Sequence, residues 1–186
     1  PNHLTLGNDG GIYISYDKGL NWLHLNNIPV GEFYDITLDN QKPYNIYGGV
    51  QDNATVYGPA KEWNPYGDDP WEYLWIDAWS GGDGCVTQVD PNDLNTVYFS
   101  RQNGDGLRKD MAADTSIRIG PKLTKISTEN NLRFNFVSPY FISPHNSTTL
   151  YHGANQVLKS SDRGDNWEII SGDITETSNP EKESWA

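Results

Sequence analysis

Three aspartates in glycine-rich surroundings are the side chains of this chain best suited to chemistry on a bound substrate. Asp9 precedes two glycines, Asp52 follows a Gly-Gly pair by three residues, and Asp83 lies between glycines. Two carboxylates about 5 to 10 Å apart, on either side of a glycosidic bond, perform glycoside hydrolysis. Short polar residues beside glycine are also the residues that tight turns use, so a purely structural interpretation stands beside the catalytic one.

The elements that must position these aspartates are short strands. The chain has 186 residues with 18 Gly and 11 Pro against one Met, and no window of a dozen residues shows a helical period. Runs such as Gly11–Tyr16, Asn45–Val50 and Thr96–Ser100 are instead bounded by Gly, Asn, Asp and Pro. The composition therefore predicts an all-β fold: a sandwich, a barrel or a propeller.

An internal repeat in the sequence favours the propeller among these three folds. Each copy has a strand ending in Asp or Ser, a polar turn, and a second strand around a tyrosine. These tyrosines are Tyr47, Tyr98 and Tyr151, which are 51 and 53 residues apart. The opening segment Leu4–Gly7 resembles the second strand of a copy that lacks its first. A period of this length predicts one four-stranded sheet, or blade, per copy.

An octapeptide of the form S-x-D-x-G-x-x-W occurs twice, after the third strand of the first and the last copies. Its Asp can accept hydrogen bonds from backbone N–H groups of the turn, and its Gly allows a positive φ. Its Trp begins the fourth strand and is expected to fill space between neighbouring sheets. A calcium-binding loop is the alternative interpretation. Because the glycine at the sixth position and the terminal glutamate of a known calcium-binding loop are missing, no metal is predicted. The eight positions assigned this structural role are Ser15, Asp17, Gly19, Trp22, Ser160, Asp162, Gly164 and Trp167.

These residues resemble the Asp-box, or BNR, repeats of β-propellers. The surrounding sequence is similar to sortilin-like and glycosyl-hydrolase-like BNR proteins of bacteria, on the segments Gly7–Gly11, Gly48–Asn53, Gly81–Gly84, Ser143–Asn146 and Gly172–Thr175. Degenerate boxes are ordinary in this family, and the second and third copies carry them at Tyr57–Trp63 and Arg108–Ala113.

The resemblance implies an all-β propeller segment of about four four-stranded blades, within a larger ring of seven or ten. The predicted propeller segment covers residues 1–175, with a partial blade at 1–27 and blades at about 32–80, 85–128 and 134–172. Residues 176–186 are interpreted as a polar linker or the start of a missing blade.

One rim of such a propeller collects the polar candidates. Turns between second and third strands share a face with the connections into the next blade, while the octapeptide turns lie on the opposite face. Aromatic rings stack on sugar faces, and carboxylates and amides bind sugar hydroxyls, so this rim suits a glycan. The expected ligand-binding residues are Asp9, Asp52, Asn53, Trp79, Asp83, Asn103, Asp105 and Asn155.

Charge and composition exclude several classes of function. Thirteen Lys and Arg against 25 Asp and Glu give a net charge of −12, which disfavours nucleic acid as a partner. No apolar run is long enough for a membrane span. The single Cys85 excludes an internal disulfide and a cysteine-based zinc site, and no cofactor motif is present.

The sequence thus leads to two functional hypotheses. The first is a scaffold segment of an exported bacterial protein, secreted, periplasmic or on the cell surface, whose rim binds a glycan or a peptide. The alternative is a glycoside hydrolase similar to the xyloglucan-cleaving two-propeller enzymes, acting through Asp9, Asp52 or Asp83. In both, the remaining blades of the same polypeptide are expected partners.

Overall fold

The computed structural model describes residues 2–8, 11–25, 31–61, 70–75, 82–121 and 124–175. The predicted linker 176–186 lies outside these ranges. Contacts between Cα atoms divide the chain into two compact units, residues 1–31 and 32–186, which are described separately.

The first unit contains one three-stranded antiparallel sheet in the order β1-β2-β3. Its strands are β1 Leu4–Asn8, β2 Gly11–Ser15 and β3 Leu23–His24. The register pairs Leu6 with Tyr13 and Ile14 with Leu23. This sheet lies within residues 1–27, where a blade without its first strand is predicted, and it is called blade 1 below.

The second unit contains three four-stranded antiparallel sheets, each with its strands in chain order. They are called blades 2, 3 and 4. Blade 2 has β4 Phe33–Leu38, β5 Asn45–Val50, β6 Thr55–Pro59 and β7 Glu72–Trp75. Blade 3 has β8 Gly84–Val89, β9 Thr96–Arg101, β10 Gly106–Asp110 and β11 Thr115–Arg118. Blade 4 has β12 Tyr140–Ile142, β13 Leu150–Gly153, β14 Val157–Ser160 and β15 Glu168–Ile169.

The predicted all-β fold is confirmed. In the described residues the one α-helix is the five-residue α1, Lys125–Glu129, between blades 3 and 4. The three repeat tyrosines each lie on the second strand of a blade, as the repeat predicts. The described residues contain no helix that is both long and apolar enough to cross a membrane.

Two apolar clusters join the blades of the second unit. Blade 2 contributes Tyr47 and Leu74 to the first cluster, and blade 3 contributes Val97, Phe99 and Leu107. The second cluster joins blade 3 to blade 4 through Tyr98, Ile119, Tyr140, Ile142 and Leu150. Because the strands are short, each sheet buries its apolar residues mainly against the next sheet rather than within itself.

A glycine sets the distance between blades 2 and 3. A Cβ on Gly49 would lie 2.1 Å from the carbonyl oxygen of Cys85, much closer than atoms can approach. The strands β5 and β8 therefore meet backbone to backbone at this point, directly beside the turn that carries Asp52.

Candidate functional site

The turns between second and third strands form the described part of the predicted rim. In blade 2 the turn is closed by a hydrogen bond from Val50 N to the Ala54 carbonyl, 2.9 Å long. Asp52 in this turn has φ 57°, and Asn103 in the equivalent turn of blade 3 has φ 59°. Asp and Asn tolerate this left-handed conformation better than most residues. The structural role predicted for such residues is therefore present at both positions, whose side chains are also exposed.

Asp83 links the turn of blade 2 to the start of blade 3. Its side chain is only 5% exposed. One carboxylate oxygen accepts a hydrogen bond from Asp52 N at 2.8 Å, and the other accepts one from the Tyr34 hydroxyl at 3.1 Å. Burial and the neighbouring Asp83 carboxylate together raise the pKa of Tyr34. The structure thus brings Asp52 and Asp83 together, with Asp83 buried beneath and Asp52 facing solvent.

An exposed aromatic ring completes this corner of the rim. Phe136 is 46% exposed, and its ring meets the Tyr34 ring edge-on, with centroids 6.3 Å apart. The Phe136 carbonyl accepts a hydrogen bond from Asn103 N at 2.9 Å. The connection from blade 3 to blade 4 therefore lies along the turn of blade 3. Sequence reasoning missed Phe136, and the available signal was an aromatic residue in the asparagine-rich segment 130–136, outside any strand.

The side chains of Asp105 and Asn155 are bonded mainly to other residues of the protein. The Asp105 carboxylate lies 3.5 Å from Arg101 and 3.4 Å from Arg118. Asn155 is 4% exposed; its side-chain oxygen accepts a hydrogen bond from Arg133 N, and its amide nitrogen donates to Asp173, both at 2.8 Å. These contacts order the rim and leave little of either side chain for a ligand.

The other predicted rim residues divide into two groups. Asn53 is exposed, and its amide nitrogen donates to the Gln51 carbonyl at 3.0 Å. Asp9 and Trp79 lie outside the described residues, so their places on the rim stay predictions.

Both octapeptides, called Asp boxes below, form the same hydrogen-bonded turn. In the first box Ser15 Oγ accepts from Gly19 N at 2.8 Å and donates to Asp17 at 2.9 Å. Asp17 in turn accepts from the backbone and the side-chain nitrogen of Asn21, at 2.9 and 2.6 Å. Chiefly because of the Asn21 hydrogen bonds, the pKa of Asp17 is lowered to about 2. Both boxes carry this asparagine directly before the tryptophan, as Asn21 and Asn166.

The two box tryptophans differ in their surroundings. Trp167 packs against the cluster between blades 3 and 4, and its indole N–H donates to the Ile119 carbonyl at 2.6 Å. Trp22 is 43% exposed, and its indole N–H donates to Gly19 in its own turn at 3.1 Å. The expected packing between sheets is therefore observed for Trp167, whereas the indole of Trp22 is bonded within its own turn.

Cys85 lies beside this rim but has the properties of a packing residue. It is completely buried, and burial raises the pKa of its thiol to about 11. A thiol with this pKa is protonated at neutral pH and is a poor nucleophile. Among the described residues no cluster of three or more His, Cys, Asp or Glu side chains is arranged to hold a metal ion.

No protein-family model and no curated protein matches the chain. Among solved structures it is similar to the GH74 enzyme of Niastella koreensis, with a TM-score of 0.50 and 16% identity, over 90% of this chain and 27% of that one. It is also similar to YCF48 bound to D1 peptide (TM-score 0.48, 15% identity, covering 90% and 50%) and to YCF48 from Cyanidioschyzon merolae (0.46, 12%, covering 91% and 53%). The first similarity, to a β-propeller protein, together with the successive blades supports a partial propeller, and the chain spans about a quarter of that enzyme.

Proposed function

We propose that the rim around Asp52, Asp83, Tyr34 and Phe136 binds a glycan or an extended peptide, and that the blades serve as its rigid scaffold. The observation that carries this proposal is an exposed aromatic ring, Phe136, in contact with Tyr34, whose hydroxyl is held by the carboxylate that also fixes the Asp52 turn. An apolar ring face beside exposed carboxylate and amide groups suits a sugar ring or a peptide segment.

The roles on this rim divide between contact and positioning. Asp52, Asn53 and Asn103 are exposed, so in the proposal their side chains contact the ligand. Asp83 is buried and accepts two hydrogen bonds, so it positions Asp52 and Tyr34. Asp105 and Asn155 order the neighbouring turns through their bonds to Arg101 and Arg133. Asp9 and Trp79 are proposed to extend the contact surface.

The binding experiment is isothermal titration calorimetry with a panel of β-glucan oligosaccharides and unstructured peptides. For a ligand that the native chain binds, Phe136→Ala is expected to raise the dissociation constant about tenfold, and Asp52→Ala several-fold. Phe141→Ala is the matched control, because Phe141 is 48% exposed but lies on strand β12 of blade 4. Binding that is equally weak in both phenylalanine variants would contradict the proposed site.

Glycoside hydrolysis is the second candidate function, with Asp9, Asp52 and Asp83 as its proposed carboxylates. One observation favours it: the structure joins an exposed carboxylate, Asp52, to a buried one, Asp83, through the hydrogen bond from Asp52 N. Acid and base roles require two such different environments. Release of reducing ends from the same glucans, lost in Asp52→Asn or Asp83→Asn at unchanged folding, would establish hydrolysis. Binding without turnover would favour the scaffold.

We propose further that the protein is exported from a bacterial cell and that additional blades complete the propeller ring. Support comes from the resemblance to secreted BNR proteins and from the acidic, aromatic-rich composition. A secretory leader in the complete reading frame is the expected observation, and its absence there would contradict export.

A further inference from the structure

One corner of the rim, formed by blades 2 and 3 and the connection to blade 4, carries two exposed carboxylates. They belong to Asp52 and Glu32. Gln51 N donates to the Glu32 carbonyl at 2.9 Å, and the side-chain amide of Gln51 lies 3.0 Å from the Glu32 carboxylate, so Glu32 is held beside the turn that carries Asp52. Within the described ranges neither carboxylate forms an ion pair with a lysine or an arginine.

The arginines that border this corner are paired with other carboxylates. Arg101, directly before the turn of blade 3, and Arg118 lie 3.5 and 3.4 Å from the Asp105 carboxylate. Arg133, on the connection from blade 3 to blade 4, lies 3.0 Å from the Asp173 carboxylate. The positive charges near the corner are therefore compensated within the protein, whereas the two exposed carboxylates face solvent.

The pKa of Tyr34 reflects the negative charge of this corner. Burial raises this pKa most, and the Asp83 and Glu32 carboxylates raise it further, because they disfavour another anion nearby. The Tyr34 ring in turn contacts the ring of Phe136, which is 46% exposed. A partly exposed aromatic ring beside uncompensated carboxylates attracts a cation, through the electrons of the ring face and through the carboxylates.

We propose that this corner binds a lysine or arginine side chain of an extended peptide. The proposal rests on the ligand-binding function proposed above and narrows its ligand to a cationic peptide. Tyr34 and Asp83 lie between Phe136 and the Asp52 turn, so one ligand group must span them to reach both. The long apolar stem of a lysine or an arginine packs on Phe136 while its charged end reaches Asp52 and Glu32. The amine of an amino sugar is attached directly to the sugar ring and lacks such a stem.

The test is isothermal titration calorimetry of the 186-residue chain with three unstructured serine–alanine peptides. They differ only in carrying lysine, acetyl-lysine or glutamate at alternate positions, and acetylation removes the charge of lysine while keeping its stem. The lysine peptide is expected to bind about tenfold more tightly than the acetyl-lysine peptide, and the glutamate peptide more weakly than both. Because salt screens exposed charges, this preference should decrease between about 20 mM and about 500 mM NaCl.

Two variants test whether the preference comes from this corner. Asp52→Asn should raise the dissociation constant of the lysine peptide several-fold and leave that of the acetyl-lysine peptide unchanged, because it removes only a charge. Phe136→Leu keeps an apolar side chain but removes the ring, so it should also weaken binding of the lysine peptide several-fold. Asp110→Asn is the matched control, because it removes one charge at an exposed position between the third and fourth strands of blade 3, and it should leave the preference unchanged. Circular dichroism checks that each variant folds.

The outcomes separate the cationic-peptide proposal from the proposed function. Equal affinity for the lysine and acetyl-lysine peptides, tighter binding of glucosamine oligosaccharides than of the lysine peptide, or binding of β-glucans alone would overturn the proposal and leave a ligand-binding rim. A preference that Asp110→Asn reduces as much as Asp52→Asn would come from the net charge of −12 and would also overturn the proposal. If the chain binds none of these peptides and oligosaccharides, the proposed function itself is wrong.

Discussion

The two Asp boxes have the same local geometry but different surroundings. The bond from the box glycine N–H to the serine oxygen is 2.8 Å in both, and the aspartate accepts the asparagine N–H at 2.9 Å in both. Around the second box, Arg163 lies 3.5 Å from the buried Asp90 of blade 3, and Gly164 packs on Ile119. Around the first box, Leu20 and Trp22 are exposed.

This difference separates two levels of structure. The side-chain hydrogen bonds of the turn all join residues of the octapeptide. In each box one backbone N–H also donates to a carbonyl outside it, from Lys18 to Asn2 and from Arg163 to Thr148. The contribution of the tryptophan depends on a neighbouring sheet, which lies far away in the sequence. The boxes therefore allow the local and the tertiary contributions to be measured separately in one chain.

Replacing the tryptophans should give the largest difference in the free energy of unfolding between the two boxes. Trp167→Ala removes a ring packed against the cluster of blades 3 and 4, so it should lower the free energy of unfolding by about 3–5 kcal/mol. Trp22→Ala removes a ring that is 43% exposed and should cost about 1 kcal/mol. Urea unfolding followed by circular dichroism measures both. Equal losses would mean that the two boxes are packed alike.

Acid should affect the second box through a buried imidazole. His152 is 1% exposed, lies edge-on to Trp167 with ring centroids 5.9 Å apart, and has neither ring nitrogen in a hydrogen bond of good geometry. Burial lowers its pKa to about 4, although backbone groups of Gly104 and Gly153 oppose part of the shift. The histidines of the first unit, His3 and His24, are exposed.

The folded protein thus favours neutral His152, whose pKa in the unfolded chain is about 6.5. The contribution of neutral His152 to the free energy of unfolding is complete above pH 6.5. It decreases as the pH is lowered from 6.5 to 4, and it does not decrease further below pH 4. The full loss is about 3 kcal/mol. His152→Gln is the control: whatever its stability at pH 7, the slope of unfolding free energy against pH in this window should decrease. An unchanged slope would assign the acid sensitivity to another group.

The features that the sequence predicts correctly are the local ones, and those that it misses depend on tertiary contacts. The repeat tyrosines and the box residues predicted the blades and the turns, because both signals are local and repeated. The role of Asp83 was not predictable, since its partners are the Tyr34 hydroxyl and the Asp52 backbone N–H, 49 and 31 residues away. Phe136 and the burial of Asn155 were missed for the same reason: each depends on the path of the connection between blades 3 and 4.

Replacing the two box glycines with alanine should give a smaller difference in the free energy of unfolding than replacing the tryptophans. Both glycines have a φ near 90°, so alanine is strained in either box, at about 1 kcal/mol. A Cβ on Gly164 would also lie 2.8 Å from Ile119, whereas on Gly19 the nearest atom is 3.5 Å away. Gly164→Ala should therefore cost about 1–2 kcal/mol more than Gly19→Ala in chemical denaturation. The double variant Gly164→Ala with Ile119→Val should recover part of that excess, and no recovery would mean that the excess has another origin.

The smallest change in the free energy of unfolding is expected from replacing the box asparagines. These variants test whether the turn makes the same local contribution in both boxes. Asn21 and Asn166 each donate two hydrogen bonds to the box aspartate, from the backbone and from the side chain, and both are exposed. Alanine keeps the backbone bond and removes the side-chain bond, so each variant should lose about 0.5–1 kcal/mol. The two losses should be equal, because nothing outside the turn takes part. The pKa of Asp17, followed by NMR, should rise from about 2 toward its ordinary value in Asn21→Ala, and an unchanged pKa would show that this side chain does not stabilise the carboxylate.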